Sequence, residues 1–304
     1  MDLFKDFPKP IQEFIINLYG QPHIITKVNG IKAEGGCYRL GFSKHSIIIK
    51  QMADPGEYLF YKKCSPLFKE FSINLPSLYW SYEEGGHYWV VIEDIPYALP
   101  KERWQRADDH VLRALFHLHR ESWGKNLPIE NPYTPSWDNH ISERVLALYP
   151  DEEAKQLQAL LYKAQEESKQ LFKPYCWISG DSNPTNWGVR EDGTVVLFDW
   201  ERITYGSPAI DLAIIMSGLG SPDDSLELSI SKKYIALWSS AGIDFPLTER
   251  DLFQQIKLAK IWSVVEFLAN NADLLDFDTR QLILKGLGEK LQDRGTYLLS
   301  CLVS

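Results

Sequence analysis

The side chains best suited to chemistry lie in Ser179-Gly180-Asp181-Ser182-Asn183-Pro184-Thr185-Asn186 and, thirteen residues further on, at Asp199. An acid, an amide oxygen five positions later and a second acid make a set of hard oxygen donors. Magnesium takes one or two such protein ligands and completes its octahedron with phosphates and water, which leaves one carboxylate to meet a substrate hydroxyl. That is the layout of a phosphoryl-transfer site. Two plainer readings compete. An Asx-rich surface turn has the same composition. Asp181-x-Asn183-x-Thr185 also alternates oxygen ligands as a calcium loop does, but the sixth position is Asn186 rather than Gly, and Pro184 sits inside the loop.

The flanking sequence must hold these residues. Tyr175-Cys176-Trp177-Ile178 is an apolar approach that delivers Gly180-Asp181 into a Ser-, Asn- and Pro-rich stretch unable to continue a helix or a central strand. Trp187-Gly188-Val189-Arg190, the turn signal Asp192-Gly193 and Val195-Val196-Leu197-Phe198 then read as a hairpin with Asp199 at its end. Upstream, to about Pro96, the pattern is strands with one intervening helix. Ser46-Ile47-Ile48-Ile49-Lys50 is a β-branched run, and His87-Tyr88-Trp89-Val90-Val91-Ile92 follows the turn former Gly85-Gly86. Glu57 to Lys63, opened by Asp54-Pro55-Gly56, has helical spacing.

Beyond Pro100 the apolar residues recur at three- and four-residue steps. Val111, Leu112, Leu115, Phe116, Leu118 and His119 mark one amphipathic helix, and 141–148, 157–172, 252–268 and 282–299 mark others. The expected fold class is therefore α+β: a small strand-rich lobe over 1–95 and a larger, mainly helical lobe over 96–304, with a cleft between them.

The stretch from Ser179 to Asn186 resembles the catalytic region of the aminoglycoside phosphotransferase and choline kinase superfamily. Its pattern is His-Gly-Asp, four residues, Asn, and later an aliphatic residue before Asp-Trp-Glu, which Asp199-Trp200-Glu201 matches. Gly206-Ser207-Pro208-Ala209-Ile210-Asp211-Leu212-Ala213 is similar to the family's Gly-x-Pro-x-x-Asp-Leu-Ala segment. The resemblance implies a protein-kinase-like fold with an antiparallel-sheet N-lobe and a helical C-lobe. It implies Asp181 as the catalytic aspartate, Asn186 and Asp199 as metal ligands, and Asp211 as a structural brace of the catalytic loop. It further implies Lys50 as the phosphate-binding lysine and Glu57 as its partner. The hinge falls near 91–97, where backbone groups of Glu93 and Ile95 would bind adenine. Ser179 stands where the family pattern has His, and the nucleotide loop Ala33-Glu34-Gly35-Gly36-Cys37-Tyr38-Arg39-Leu40-Gly41 is only loosely glycine-rich. In that superfamily the histidine scaffolds the loop, and a serine hydroxyl can supply part of the same hydrogen bonding.

The activity so implied is ATP- (or GTP-) and Mg2+-dependent phosphorylation of a hydroxylated small molecule, such as an aminoglycoside or other antibiotic, choline-like compound or amino or sugar alcohol. The rival is a non-catalytic, nucleotide-binding regulatory protein on the same fold. A protein kinase would carry an Asp-Phe-Gly and Ala-Pro-Glu pair. Asp276-Phe277-Asp278-Thr279 resembles the nucleophile motif of haloacid-dehalogenase-like phosphohydrolases, but it leads into a helical pattern and reads as a helix start capped by Asp278 or Thr279.

The net charge of -9 argues against nucleic acid, which needs clustered Lys and Arg, and tolerates a cationic small molecule. Glu201, Glu266 and Asp273 are candidates to receive an amine. The four cysteines, Cys37, Cys64, Cys176 and Cys301, form no CxxC or Cys/His cluster and read as reduced thiols. His119 reads as a core histidine, and Trp123, Trp137, Trp200 and Trp262 as core residues that can also line a pocket. No apolar run reaches a membrane span, and the expected state is a cytoplasmic monomer or homodimer.

Overall fold

The computed structural model describes residues 3–28, 36–70, 74–104, 106–216 and 224–303, with backbone alone for 69–70 and 295–303. Ala33, Glu34 and Gly35 of the expected nucleotide loop, and the thiol of Cys301, lie outside the described residues. The first elements are α1 (Lys9–Tyr19), β1 (Ile24–Val28), β2 (Gly36–Gly41), β3 (Ser46–Met52), α2 (Gly56–Leu59), α3 (Ser65–Glu70), β4 (Leu78–Glu84), β5 (His87–Glu93) and β6 (Tyr97–Ala98). Next come α4 (Asp109–Ser122), α5 (Asn139–Leu146), α6 (Asp151–Ser168), β7 (Cys176–Ile178), β8 (Trp187–Val189), β9 (Val195–Leu197) and β10 (Thr204–Gly206). The chain ends with α7 (Pro208–Ile214), α8 (Asp224–Ser240), α9 (Glu249–Asn271) and α10 (Phe277–Val303). It divides into two compact units: Met1–Leu99, Leu127–Tyr133 and Thr185–Ile203 in one, and Pro100–Asn126, Thr134–Pro184 and Thr204–Ser304 in the other.

The first unit is built on a five-stranded antiparallel sheet in the order β1-β2-β3-β5-β4. Alternation along β3 sends Ile47 and Ile49 to one face, where they pack with Trp89 and Val91 of β5 and with Ile11 and Ile15 of α1. Fully burying an aliphatic side chain of this size contributes about 1.5–3 kcal/mol. The same alternation puts Lys50 on the opposite face. Helix α1 exceeds the single helix expected before Pro96. Its Pro8 and Pro10 belong to the helix start, where proline's fixed φ is tolerated, and Ile11 and Ile15 are a four-residue step on its buried side. Between α2 and α3 the chain makes a π turn over Phe60–Cys64, so the predicted helix from Glu57 to Lys63 is continuous but locally widened. A second sheet, β6-β8-β9, completes the unit with the hairpin expected around Asp192-Gly193.

The second unit is helical apart from the two-stranded ladder β10-β7. Asp108 caps α4, accepting from His110 N and Val111 N at 3.1 Å each while Arg103 grips both its oxygens at 2.7 Å. The α4 positions expected to be apolar, Val111, Leu112, Leu115, Phe116 and Leu118, are buried. Helix α9 opens on a capping box between Thr248 and Asp251 and buries Leu252, Ile256, Leu258, Ile261, Val264, Val265 and Leu268. The start of α10 is capped by Asp276, which accepts from Thr279 N at 2.8 Å and Thr279 Oγ1 at 2.7 Å. The helix start was expected, but the capping side chain is the first aspartate of the motif, not Asp278 or Thr279. Trp137, Trp200 and Trp262 are core residues, each buried to 7% exposure or less. Among the described residues no helix is long and apolar enough to cross a membrane.

Candidate active site

In the first unit Lys50 projects from the middle of β3 on the face opposite Ile47 and Ile49. Its Nζ lies 2.5 Å from Glu57 Oε2 and 2.8 Å from Asp199 Oδ1, so three residues distant in sequence converge on one ammonium. Glu57 is in the first turn of α2, entered through an Asx turn in which Gly56 N donates to Asp54 Oδ1 at 2.7 Å. The Glu57 side chain is 3% exposed and that of Asp199 34%. Burial works against charge on Lys50, but the two carboxylates outweigh it and hold the pKa above the ordinary lysine value. For Glu57 burial is the larger influence and pushes its carboxyl up, with Lys50 pulling the other way. Glu57 Oε1 is buried and has no hydrogen-bond partner among the described residues.

Asp199 is placed by its neighbours. Its φ of 65° lies in the left-handed region, which Asp enters at less cost than most residues. The next residue, Trp200, is buried, stacks on Phe60 with ring centroids 4.5 Å apart, and donates from Nε1 to Leu197 O at 3.0 Å. Phe60 follows α2 directly. The tryptophan after Asp199 is thus an anchor that fixes this turn to the helical segment bearing Glu57. Asn186 precedes β8, and Phe198 N donates to its carbonyl at 3.0 Å. With Trp187 opposite Leu197, the ladder sets Asn186 and Asp199 at the same end of the β8–β9 hairpin. An amide oxygen and a partly exposed carboxylate at one hairpin end fit a divalent cation that also binds phosphate oxygens.

The second unit contains Asp181 and the brace of its loop. Asp211, in α7 and fully buried, accepts four hydrogen bonds: Ser179 N at 2.9 Å and His119 Nε2 at 3.1 Å on Oδ2, and Ser179 Oγ at 2.9 Å and Gly180 N at 3.0 Å on Oδ1. Ser182 Oγ donates to the Asp211 carbonyl at 2.6 Å. Asp181, half-buried, hangs between Gly180, whose φ of 71° suits glycine, and the tethered Ser182. Ser179 therefore does what a loop scaffold must do, and an imidazole still reaches Asp211, supplied by His119 of α4. The other ring nitrogen of His119 pairs with Tyr234 Oη at 2.8 Å. The brace was expected at Asp211, whereas no sequence signal joined His119 or Ser182 to it.

Glu93 ends β5. Its side chain is held by Arg190, a residue that sequence reasoning passed over, with Nε to Oε1 at 2.7 Å and Nη2 to Oε2 at 2.8 Å. Burial pushes the Glu93 carboxyl up, but Arg190 and the Ser77 amide outweigh it and hold the group below the usual carboxylate range. Ile95 is buried. Of the candidate amine receptors, Glu201 belongs to the first unit and Glu266 and Asp273 to the second.

The model of a family described as the phosphotransferase enzyme family matches residues 49–240. The chain belongs to that family. It is similar in fold to a microcompartment-associated aminopropanol kinase, at TM-score 0.65 and 15% identity over 96% of this chain and 98% of that one. A putative fructosamine-3-kinase from Haemophilus somnus 129PT matches at TM-score 0.58 and 14% identity, over 95% and 100% of the two chains. A thermostable mutant of aminoglycoside phosphotransferase APH(4)-Ia, in a ternary complex with AMP-PNP and hygromycin B, matches at TM-score 0.58 and 10% identity, over 92% and 97%. No curated protein matches the chain. The α+β, protein-kinase-like fold that the motifs implied is the one this phosphotransferase has, and it is an enzyme of that class.

Proposed function

We propose that this phosphotransferase moves the γ-phosphoryl group of ATP to a hydroxyl of a small molecule. The observation that carries the reading is Lys50 Nζ held between Glu57 Oε2 and Asp199 Oδ1 at 2.5 and 2.8 Å. A lysine so fixed presents a permanent point charge to the α- and β-phosphates. Asp181 accepts the acceptor's hydroxyl proton as its oxygen bonds to the γ-phosphorus and the bond from that phosphorus to the ADP oxygen breaks. Asn186 and Asp199 would hold Mg2+, which when bound neutralises charge on the phosphate oxygens. Backbone groups of Glu93 and Ile95 receive the base. Most of the rate comes from positioning and charge stabilisation, because phosphoryl transfer asks little covalent chemistry of the protein.

The fold neighbours include an aminopropanol kinase, a putative fructosamine-3-kinase and a spectinomycin phosphotransferase in complex with ADP and spectinomycin, which directs the acceptor search to amino alcohols, sugars and antibiotics. The test is ATP consumption with Mg2+ across a panel of those compounds, read by the mass of the product. Turnover with at least one acceptor, lost by a factor of about 1000 or more in Asp181→Ala while ATP affinity stays within about threefold, is the expected result. No turnover with any acceptor, or turnover that survives Asp181→Ala, overturns it.

A further inference from the structure

Three consecutive residues, Glu93, Asp94 and Ile95, are fastened by three separate devices within the first unit. Arg190 meets Glu93 fork to fork, and its Nη2 also donates to Leu75 O at 2.7 Å. Glu93 Oε2 accepts from Ser77 N at 3.0 Å, and Glu93 N donates to Ser77 O at 2.9 Å. The approach to β4, the end of β5 and the end of β8 are thereby joined at one point. Asp94 turns to the sheet, where Arg39 Nη2 and Nε reach its two oxygens at 2.9 and 2.7 Å and Ser46 Oγ donates at 2.6 Å. Ile95 packs on β8 at Gly188, where an added Cβ would lie 2.5 Å from Ile95 Cγ2 and 3.2 Å from Phe198 Cε1. Only glycine permits that approach.

The consequence is chemical. Both carboxylates of this segment are committed to arginines, so neither is available to a ligand, and what remains is main chain. The N–H of Ile95 has no hydrogen-bond partner among the described residues. A carbonyl at 93 and an N–H at 95, held rigidly, form an acceptor and a donor in fixed order. Adenine offers an amino donor beside the N1 acceptor, whereas guanine offers the O6 acceptor beside the N1–H donor. A rigid pair complements the first and opposes the second, and a buried mismatch of this kind leaves polar groups unpaired on both sides.

We propose that Arg190 is a specificity-determining positioning residue: by holding Glu93 it fixes the main-chain pair that selects ATP over GTP. The inference rests on the nucleotide-binding reading above. Calorimetric dissociation constants of Mg-ATP, Mg-GTP and Mg-tripolyphosphate test it on the whole chain. The wild type binds ATP at least about tenfold tighter than GTP, the worth of one good hydrogen bond. Arg190→Lys keeps the charge but loses the fork, and it lowers the ATP-to-GTP ratio at least threefold while tripolyphosphate affinity stays within about twofold. If that chain does not fold, Glu93→Gln, which keeps the volume and removes the charge, gives the same reading. An unchanged ratio in the variant, or a proportional loss for all three ligands, overturns the inference while leaving the kinase reading intact. A wild type that binds none of them overturns both.

Discussion

The brace around Asp211 and the ion cluster around Lys50 are both made of charged side chains, yet they are satisfied to different degrees. Each oxygen of Asp211 accepts two hydrogen bonds, and the residues around it are buried without exception: Ser179, Ser182 and His119 are all at 0% exposure. In the other unit Glu57 Oε1 is buried without a hydrogen bond among the described residues, Asp199 is a third exposed, and its backbone is left-handed. A saturated network stabilises the fold and holds a loop in one geometry. An under-satisfied cluster on a strained residue is tolerated where it serves a ligand. One region should govern stability and the other turnover.

Asp211→Ala should have the largest effect, because it strands four donors, a buried imidazole among them. We expect a loss of about 3–5 kcal/mol in urea unfolding, and a loss under about 1 kcal/mol would show that the brace is ornamental to the fold. Next is Glu93, whose folded pKa is depressed. Its stabilisation is therefore fully present above the ordinary carboxylate value of about 4.3 and is lost as pH falls through the folded value. Hydrogen bonds to charged groups of this kind contribute about 1.5–3 kcal/mol. Glu93→Gln should shrink the difference in urea midpoint between pH 7 and pH 3; an unaltered difference would place the acid sensitivity elsewhere.

Ser179→Ala removes one of the four donors to Asp211 and should cost about 1 kcal/mol, with Asp181 still functional. Asp199→Asn should change stability least, within about 0.5 kcal/mol, since Asn also tolerates the left-handed region. The same substitution should cut turnover about 100-fold or more by removing charge from the Lys50 group. If Asp199→Asn instead destabilised the protein as Asp211→Ala does, the contrast between the two regions would collapse.

Much of the candidate site was legible before the structure. Asp181, Asn186 and Asp199 stand at spacings set by one loop and one hairpin, and Asp192-Gly193 announced that hairpin. Local turn chemistry and alternation suffice for such short-range geometry. Helix α1 was hidden, because two prolines at its start resemble breakers and its eleven residues become helical through packing of Ile11 and Ile15. The capping aspartate of α10 was misplaced by two or three residues, since each of the polar side chains there is a competent cap.

The sequence by itself determined the acids, the amide and the order of elements that carry them, because those depend on covalent spacing and on the hydrophobic period. Which side chains meet was decided by the tertiary structure. Lys50 and Asp199 are 149 residues apart, Arg190 and Glu93 are 97 apart, and His119 and Asp211 are 92 apart. Such pairs depend on how sheet and helices pack, on the left-handed turn at Asp199, and on Trp200 anchoring that turn to Phe60. None of these is encoded in any short window of residues, since each follows from burial of apolar surface contributed by several elements at once.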